Sequence, residues 1–155
     1  MQAALDAIDI KLTYGVVIGG GLKQFLAYAK RKDSVSHDFQ DEQGIMKDLS
    51  SPRVQPRQFT LKCALIANSL VDFHTKNDGF FTALILPGPR HFYVADHDRT
   101  YLVYYVEQQN VTGLSKIINT DKVGIKFDLV LSETNPADNI PAVYLVDDQD
   151  RFLTA

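Results

Sequence analysis

Apolar and polar residues alternate most cleanly toward the end of the first half of the chain. From 57 to 68, Phe59, Leu61, Cys63, Leu65 and Ala67 fall on one side, with Thr60, Lys62, Ala64, Ile66 and Asn68 on the other. A period of two predicts a half-buried strand, and the first set is expected to face the core. The period then changes. Leu70, Phe73, Phe80, Phe81 and Leu84 recur at helical spacing, which predicts a helix over 70–85. Ser69 is placed as its N-cap, with Asp72 at the third helical position to complete a capping box. Gly79 weakens this helix by about 1 kcal/mol relative to alanine, and Asn77-Asp78-Gly79 offers an alternative, earlier end. Pro87-Gly88-Pro89 stops the helix and turns the chain.

Strand patterning resumes beyond the turn. Residues 91–95 and 100–108 predict an antiparallel hairpin across Asp96-His97-Asp98-Arg99, its second strand rich in β-branched and aromatic residues. Residues 114–119 and 124–133 predict another, turning at Thr120-Asp121-Lys122. Upstream, Ile8, Ile10 and Leu12 alternate with Asp9, Lys11 and Thr13, which reads as a half-buried strand over 8–13. Val16-Val17-Ile18 reads as a short apolar strand, Gly19-Gly20-Gly21 as a break, and 22–31 as a short helix with Leu22, Phe25, Leu26 and Ala29 on one face.

From 32 to 56 the sequence is polar and rich in turn residues. A segment of that length without a clear element is functional or disordered more often than it is structural. Within it, His37-Asp38-Phe39 and residues 45–49 suggest short strands turning near Gly44. A last hairpin is expected over 142–154, around Asp147-Asp148-Gln149-Asp150. The fold class expected is therefore α+β: a mostly antiparallel β-sandwich or barrel with one flanking helix. Its domain spans 1–136, and 137–155 forms a C-terminal hairpin extension. Phe59, Leu61, Leu65, Phe73, Phe80, Leu84, Tyr104, Phe127 and Leu129 are expected to converge on one core beneath the helix.

Composition narrows the function classes. With 155 residues, 45% hydrophobic and 23% charged, the chain has ordinary globular usage. A net charge of −3 provides no basic footprint for nucleic acid. Cys63 is the one cysteine, which excludes a disulfide framework and a cysteine-based zinc site. Its place in the inward register reads as a buried, inert thiol. The first ten residues lack the basic and apolar regions of a signal peptide, so a cytoplasmic protein is expected.

The candidate chemistry is sparse. The triple glycine with Lys23 invites a phosphate loop, yet matches neither G-x-G-x-x-G nor the P-loop spacing. A small-ligand or phosphate-binding domain at Gly19, Gly20 and Gly21 is the alternative carried from it. His91, Asp96, His97 and Asp98 contain metal-ligating types, but Asp-His-Asp-Arg is ordinary turn chemistry. Asp147, Asp148 and Asp150 lack the glycine and glutamate of a calcium loop. Ser69 and Ser115 have neither an adjacent histidine nor a nucleophile elbow. Tyr101, Tyr104 and Tyr105 with Phe92 and Tyr93 could stack bases or sugars, but cross-strand packing accounts for them more simply. No catalytic residue, cofactor or metal ligand is expected.

Several features taken together resemble a known family. The strand-Tyr-Gly opening IDIKLTYGVVI leads to a long polar segment that ends in RQFTLKCALIA. Ser69 then starts a Phe-rich helix, and FFTALILPG runs into HFYV and YLVYYV. LSKIIN and GIKFDLVLSE follow, closed by Glu133-Thr134-Asn135-Pro136. This order, over most of residues 5–136, resembles phage tail-assembly proteins, particularly the distal tail protein and its tail-tube relatives.

The resemblance implies a non-enzymatic virion structural protein. Its subunits would form rings, commonly hexameric, joining tail tube to baseplate, assembled in the cytoplasm and ending in the virion tail. The expected partners are further copies of itself and other tail or baseplate proteins, with no specific nucleic acid and no membrane. Distal tail proteins often add a second, carbohydrate-module-like domain, and here a short hairpin stands after Pro136 instead. A ring subunit needs loops and edges that meet a neighbour. The segments outside the compact pattern supply the candidate inter-subunit contacts: His37, Asp38, Asp41, Glu42 and Arg53 in the 32–56 segment, and Tyr144, Arg151 and Phe152 in the C-terminal hairpin.

Overall fold

A computed structural model of the chain describes residues 1–136 except Phe39, Glu42 and Asn119. The expected 142–154 hairpin, with Tyr144, Arg151 and Phe152, lies outside the described residues. Among the described residues ten strands and two α-helices follow one another in this order: β1 (Ala3–Leu5), β2 (Ile8–Asp9), α1 (Ile10–Tyr14), β3 (Val16–Gly20), β4 (Ser36–His37), β5 (Met46–Lys47), β6 (Gln58–Ala67), α2 (Leu70–Ile85), β7 (Arg90–Val94), β8 (Arg99–Gln109), β9 (Ser115–Lys116) and β10 (Val123–Ser132). Strands are hydrogen-bonded in the order β2-β1-β7-β8-β10-β6-β3, with β9 added on β10, and β4 pairs with β5 apart from the rest. Every strand pair is antiparallel. The expected α+β fold is what the chain adopts.

Strand β8 explains how one continuous sheet encloses a core. Its first half pairs with β7, from Arg99 opposite Val94 to Val103 opposite Arg90. Its second half pairs with β10, and there Val130 faces Glu107 while Leu131 faces Tyr105. Val106 is thus an extra residue. Such a bulge bends and twists a strand, which carries β8 from one layer to the next. The open side of the sheet is bridged by a side chain. The Gln2 amide donates to the Ile18 carbonyl at 2.6 Å and accepts from the Ile18 N–H at 3.2 Å. It thereby imitates a strand partner for β3.

The inward register of β6 is as expected: Phe59, Leu61, Cys63, Leu65 and Ala67 are all buried. Helix α2 lies over this face with Phe73, Phe80 and Leu84 buried, and Phe81 packs edge-on against Tyr105. The Ser69 hydroxyl accepts from the Asp72 N–H at 3.1 Å, and the Asp72 carboxylate reaches back to the Asn68 N–H at 2.9 Å. The helix runs its full predicted length, so Gly79 does not end it. At the other end of the core, Phe25 sits between layers, stacked on Phe59 at 4.1 Å and against Tyr101 at 4.6 Å.

Four local expectations are corrected. Residues 8–13 are not one strand: after Asp9 the chain turns into α1, because the Asp9 carboxylate caps the Lys11 and Leu12 N–H groups and Gly15 closes the helix at φ +67°. Leu12 is consequently 81% exposed. Residues 22–31 form only a 3-10 turn over Leu22–Leu26, in which Leu22 and Phe25 are buried and Leu26 is exposed. Gly19 and Gly20 belong to β3 rather than to a break. Tyr104 faces outward on β8, and Tyr101 and Val103 occupy the core in its place.

Among the described residues no helix is long and apolar enough to cross a membrane.

Candidate interaction surface

The 32–56 segment builds an arm. Its base is an antiparallel bridge between Arg31 and Val54, flanked by Gln55 N–H donating to the Lys30 carbonyl at 2.7 Å and Lys32 N–H to the Arg53 carbonyl at 2.8 Å. Further out, Asp48 N–H donates to the Val35 carbonyl at 3.0 Å, and β4 and β5 pair Ser36 with Lys47 and His37 with Met46. Gly44, at φ +93°, turns the tip. The seven residues from Arg31 to His37 span roughly 20 Å over six steps of strand rise. Every described residue from 35 to 54 is exposed, including Val35, Ile45, Met46 and Leu49. An isolated two-stranded ribbon is marginal in water unless something packs against it. At the end of β5 the Ser50 hydroxyl and N–H both donate to the Asp48 carboxylate, which holds its pKa below the ordinary aspartate value.

Of the residues selected from the sequence, His37 lies on β4, Asp38 and Asp41 near the tip and Arg53 at the base, all exposed. Glu42 lies outside the described residues.

The arm is anchored by a pair that the sequence reading missed. The Arg57 guanidinium meets the Glu133 carboxylate through Nε at 2.5 Å and Nη2 at 2.8 Å, and Glu133 is fully buried. The same guanidinium donates from Nη1 to the carbonyls of Phe25 at 3.1 Å and Ala27 at 2.5 Å. It also lies 5.1 Å from the centre of the Phe59 ring. Its pKa is raised further by the Glu133 hydrogen bond. One side chain therefore joins the strand leaving the arm to the segment entering it. The signal was available: Glu133 continues the inward series Ile125, Phe127, Leu129, Leu131, and Arg57 continues Phe59, Leu61 on the partner strand. A charge in a core register demands an opposite charge across from it. Beside the pair lies a groove of about 340 Å³, lined by Leu26, Tyr28, Val54, Arg99 and Pro136 among others.

The other candidates have structural roles. Gly21 holds φ +101° with its Cα packed so closely on β6 that a Cβ would overlap the Thr60 carbonyl. Close approach to a neighbouring strand thus accounts for this glycine without a phosphate. The Gln24 side chain seals the same junction through Thr60, accepting from its N–H at 2.9 Å and donating to its carbonyl at 3.0 Å. His91 stands 3.5 Å from the Asp6 carboxylate, and His97 3.3 Å from the Tyr101 hydroxyl. Among the described residues no three His, Cys, Asp or Glu side chains gather as metal ligands would. Cys63 is buried, and desolvation pushes its thiol up to about 12.

No family model matches the sequence, and no curated protein matches it. Among solved structures, the chain is similar to the Dit protein of SPP1, described as a paradigm of the hub adsorption apparatus in phages that infect Gram-positive bacteria. The TM-score is 0.62 and the identity 11%, over 87% of this chain and 50% of that one. The chain thus spans half the length of that protein. At this identity the likeness shows a shared fold.

Proposed function

We propose that the protein is a structural subunit of a phage or prophage tail, forming a ring between tail tube and baseplate and catalysing no reaction. The observation that carries this reading is the fold shared with a hub protein of the adsorption apparatus. The arm supports it independently, because an exposed ribbon with apolar side chains is suited to pairing with another chain. Residues 1–136 are the ring-forming unit in this account, with 137–155 as its extension. His37, Asp38, Asp41, Glu42 and Arg53 make inter-subunit contacts from the arm, joined by Tyr144, Arg151 and Phe152 from the extension. Six copies are the natural closure, and other tail or baseplate proteins dock on the ring faces. The protein would gather in the cytoplasm during assembly and then in the virion tail. Each copy carries −3, so the ring is acidic and DNA passes without tight binding, which requires cationic neutralisation.

Light scattering on the purified chain, with negative-stain microscopy, tests the reading. Closed rings with a central opening are expected. A chain that remains monomeric at every concentration accessible to the instrument, alone and with co-expressed tail proteins, contradicts it.

A further inference from the structure

We propose that the arm of one copy docks on the opposite end of the next copy's barrel, against the 111–118 segment. The inference rests on the assembly reading above and specifies where its contact lies.

Strands β6 and β10 pair over their ten-residue length, from Gln58 opposite Ser132 to Ala67 opposite Val123. These two ends are roughly 30 Å apart. The arm leaves beside Arg57, at the first end. The 111–118 segment flanks the second, where Lys116 pairs with Val123 and Ser115 with Gly124. Both places expose apolar side chains: Ile45 and Met46 on the arm, Val111, Leu114 and Ile118 on the segment, the last 87% exposed. A cleft of about 360 Å³ is lined by the segment and the sheet together, with Ile66 and Ile117 in its walls. Gly113 and Gly124 also line it, and a Cβ on Gly113 would meet nothing within 4 Å.

Charge favours the same pairing. Around its tip the arm carries Asp38, Asp41 and Asp48 against Lys47, while residues 111–126 carry Lys116, Lys122 and Lys126 against Asp121. Opposite signs steer association and fix register. Because the described arm is exposed along its length, it does not cover its own barrel. A second copy can cover it. The two surfaces differ, so the contact is head-to-tail, the kind that closes into a ring when the rotation permits.

Two charge reversals on the full chain test this by light scattering. One variant carries Asp38→Lys and Asp41→Lys on the arm, and the other Lys116→Glu on the segment with Lys122→Glu just ahead of β10. Each alone should raise the concentration for half-assembly at least tenfold, with an unchanged circular dichroism spectrum. An equimolar mixture should restore assembly, because every arm then meets a segment of opposite sign. A second pair removes the apolar contact: Ile118→Asp mixed with an arm-deleted chain should stop at a one-to-one heterodimer, since only one competent junction remains. If the wild type assembles and the segment variants assemble equally well, the docking site is wrong while the ring reading stands. If the wild type never assembles, the ring reading itself is lost.

Discussion

Strand β3 and the β4–β5 arm both present strand edges, and the molecule treats them in opposite ways. At β3 the Gln2 side chain takes the Ile18 N–H and carbonyl, as a neighbouring strand would. The ribbon of β4 and β5 has no such cover among the described residues, and its apolar side chains stand in solvent. Edges left open invite pairing with another chain, and folded proteins ordinarily blunt them. A barrel that closes its own edge while extending an open one elsewhere separates folding from association. The barrel holds the buried aromatic core, and the arm carries surface that becomes useful only when something covers it.

The largest effects should therefore fall in the barrel. Glu133→Ala leaves the Arg57 guanidinium without its counter-charge at the arm's root, and removing one member of a buried pair costs about 3–5 kcal/mol. Phe80→Ala, on the buried face of α2, should cost a similar amount, about 3–5 kcal/mol. Urea titration monitored by circular dichroism reads both, and losses under 1 kcal/mol would mean that neither group supports the barrel. Next comes Ser69→Ala, which removes the cap of α2 and should cost about 1 kcal/mol.

A smaller effect belongs to Asp72. Its carboxylate accepts from the Lys76 ammonium and the Asn68 N–H, which lowers its pKa. A carboxyl whose pKa is depressed on folding contributes stability above its unfolded value, and that contribution fades as pH falls through the folded one. The wild type should thus exceed Asp72→Asn in stability at pH 7, and the two should converge as pH falls below about 4. A gap that stays constant down to pH 2 would show that charge is not the cause. Met46→Ser on the arm should shift stability least, within about 0.5 kcal/mol.

The same contrast governs what could be read from the sequence. Strand β6 and helix α2 were legible because each buries one face, so period two and helical spacing print directly into the sequence. The arm's turn near Gly44 was legible from composition, but no periodicity marked the bridge at Arg31 and Val54, since neither face of a solvated ribbon is buried. Residues 8–13 misled because Ile8, Ile10 and Leu12 alternate as a strand would, while the Asp9 cap and Gly15 stop commit the backbone to a helical turn. On β8 the run Tyr101, Leu102, Val103, Tyr104, Tyr105 is apolar on both faces and carries no phase, so Tyr104 was placed inward against the register. Arg57 and Glu133 each extend an inward series that the sequence shows, but that they meet each other follows only once β6 and β10 are set side by side. The candidate contact residues on the arm share exposure and a tip rich in carboxylates, a compositional signal that no local pattern ranks.

Deleting residues 36–50 and closing the arm with a short Gly-Ser link tests the separation of folding from association most directly. Shortening a solvated loop changes closure entropy only slowly with length, so the variant should unfold within about 1 kcal/mol of the parent. Light scattering should show the parent as a ring and the variant as a monomer. A shortened chain that still forms the parent's oligomer would contradict the account and move the contact to another surface. A shortened chain that fails to fold would contradict it differently, by making the arm part of the barrel's core.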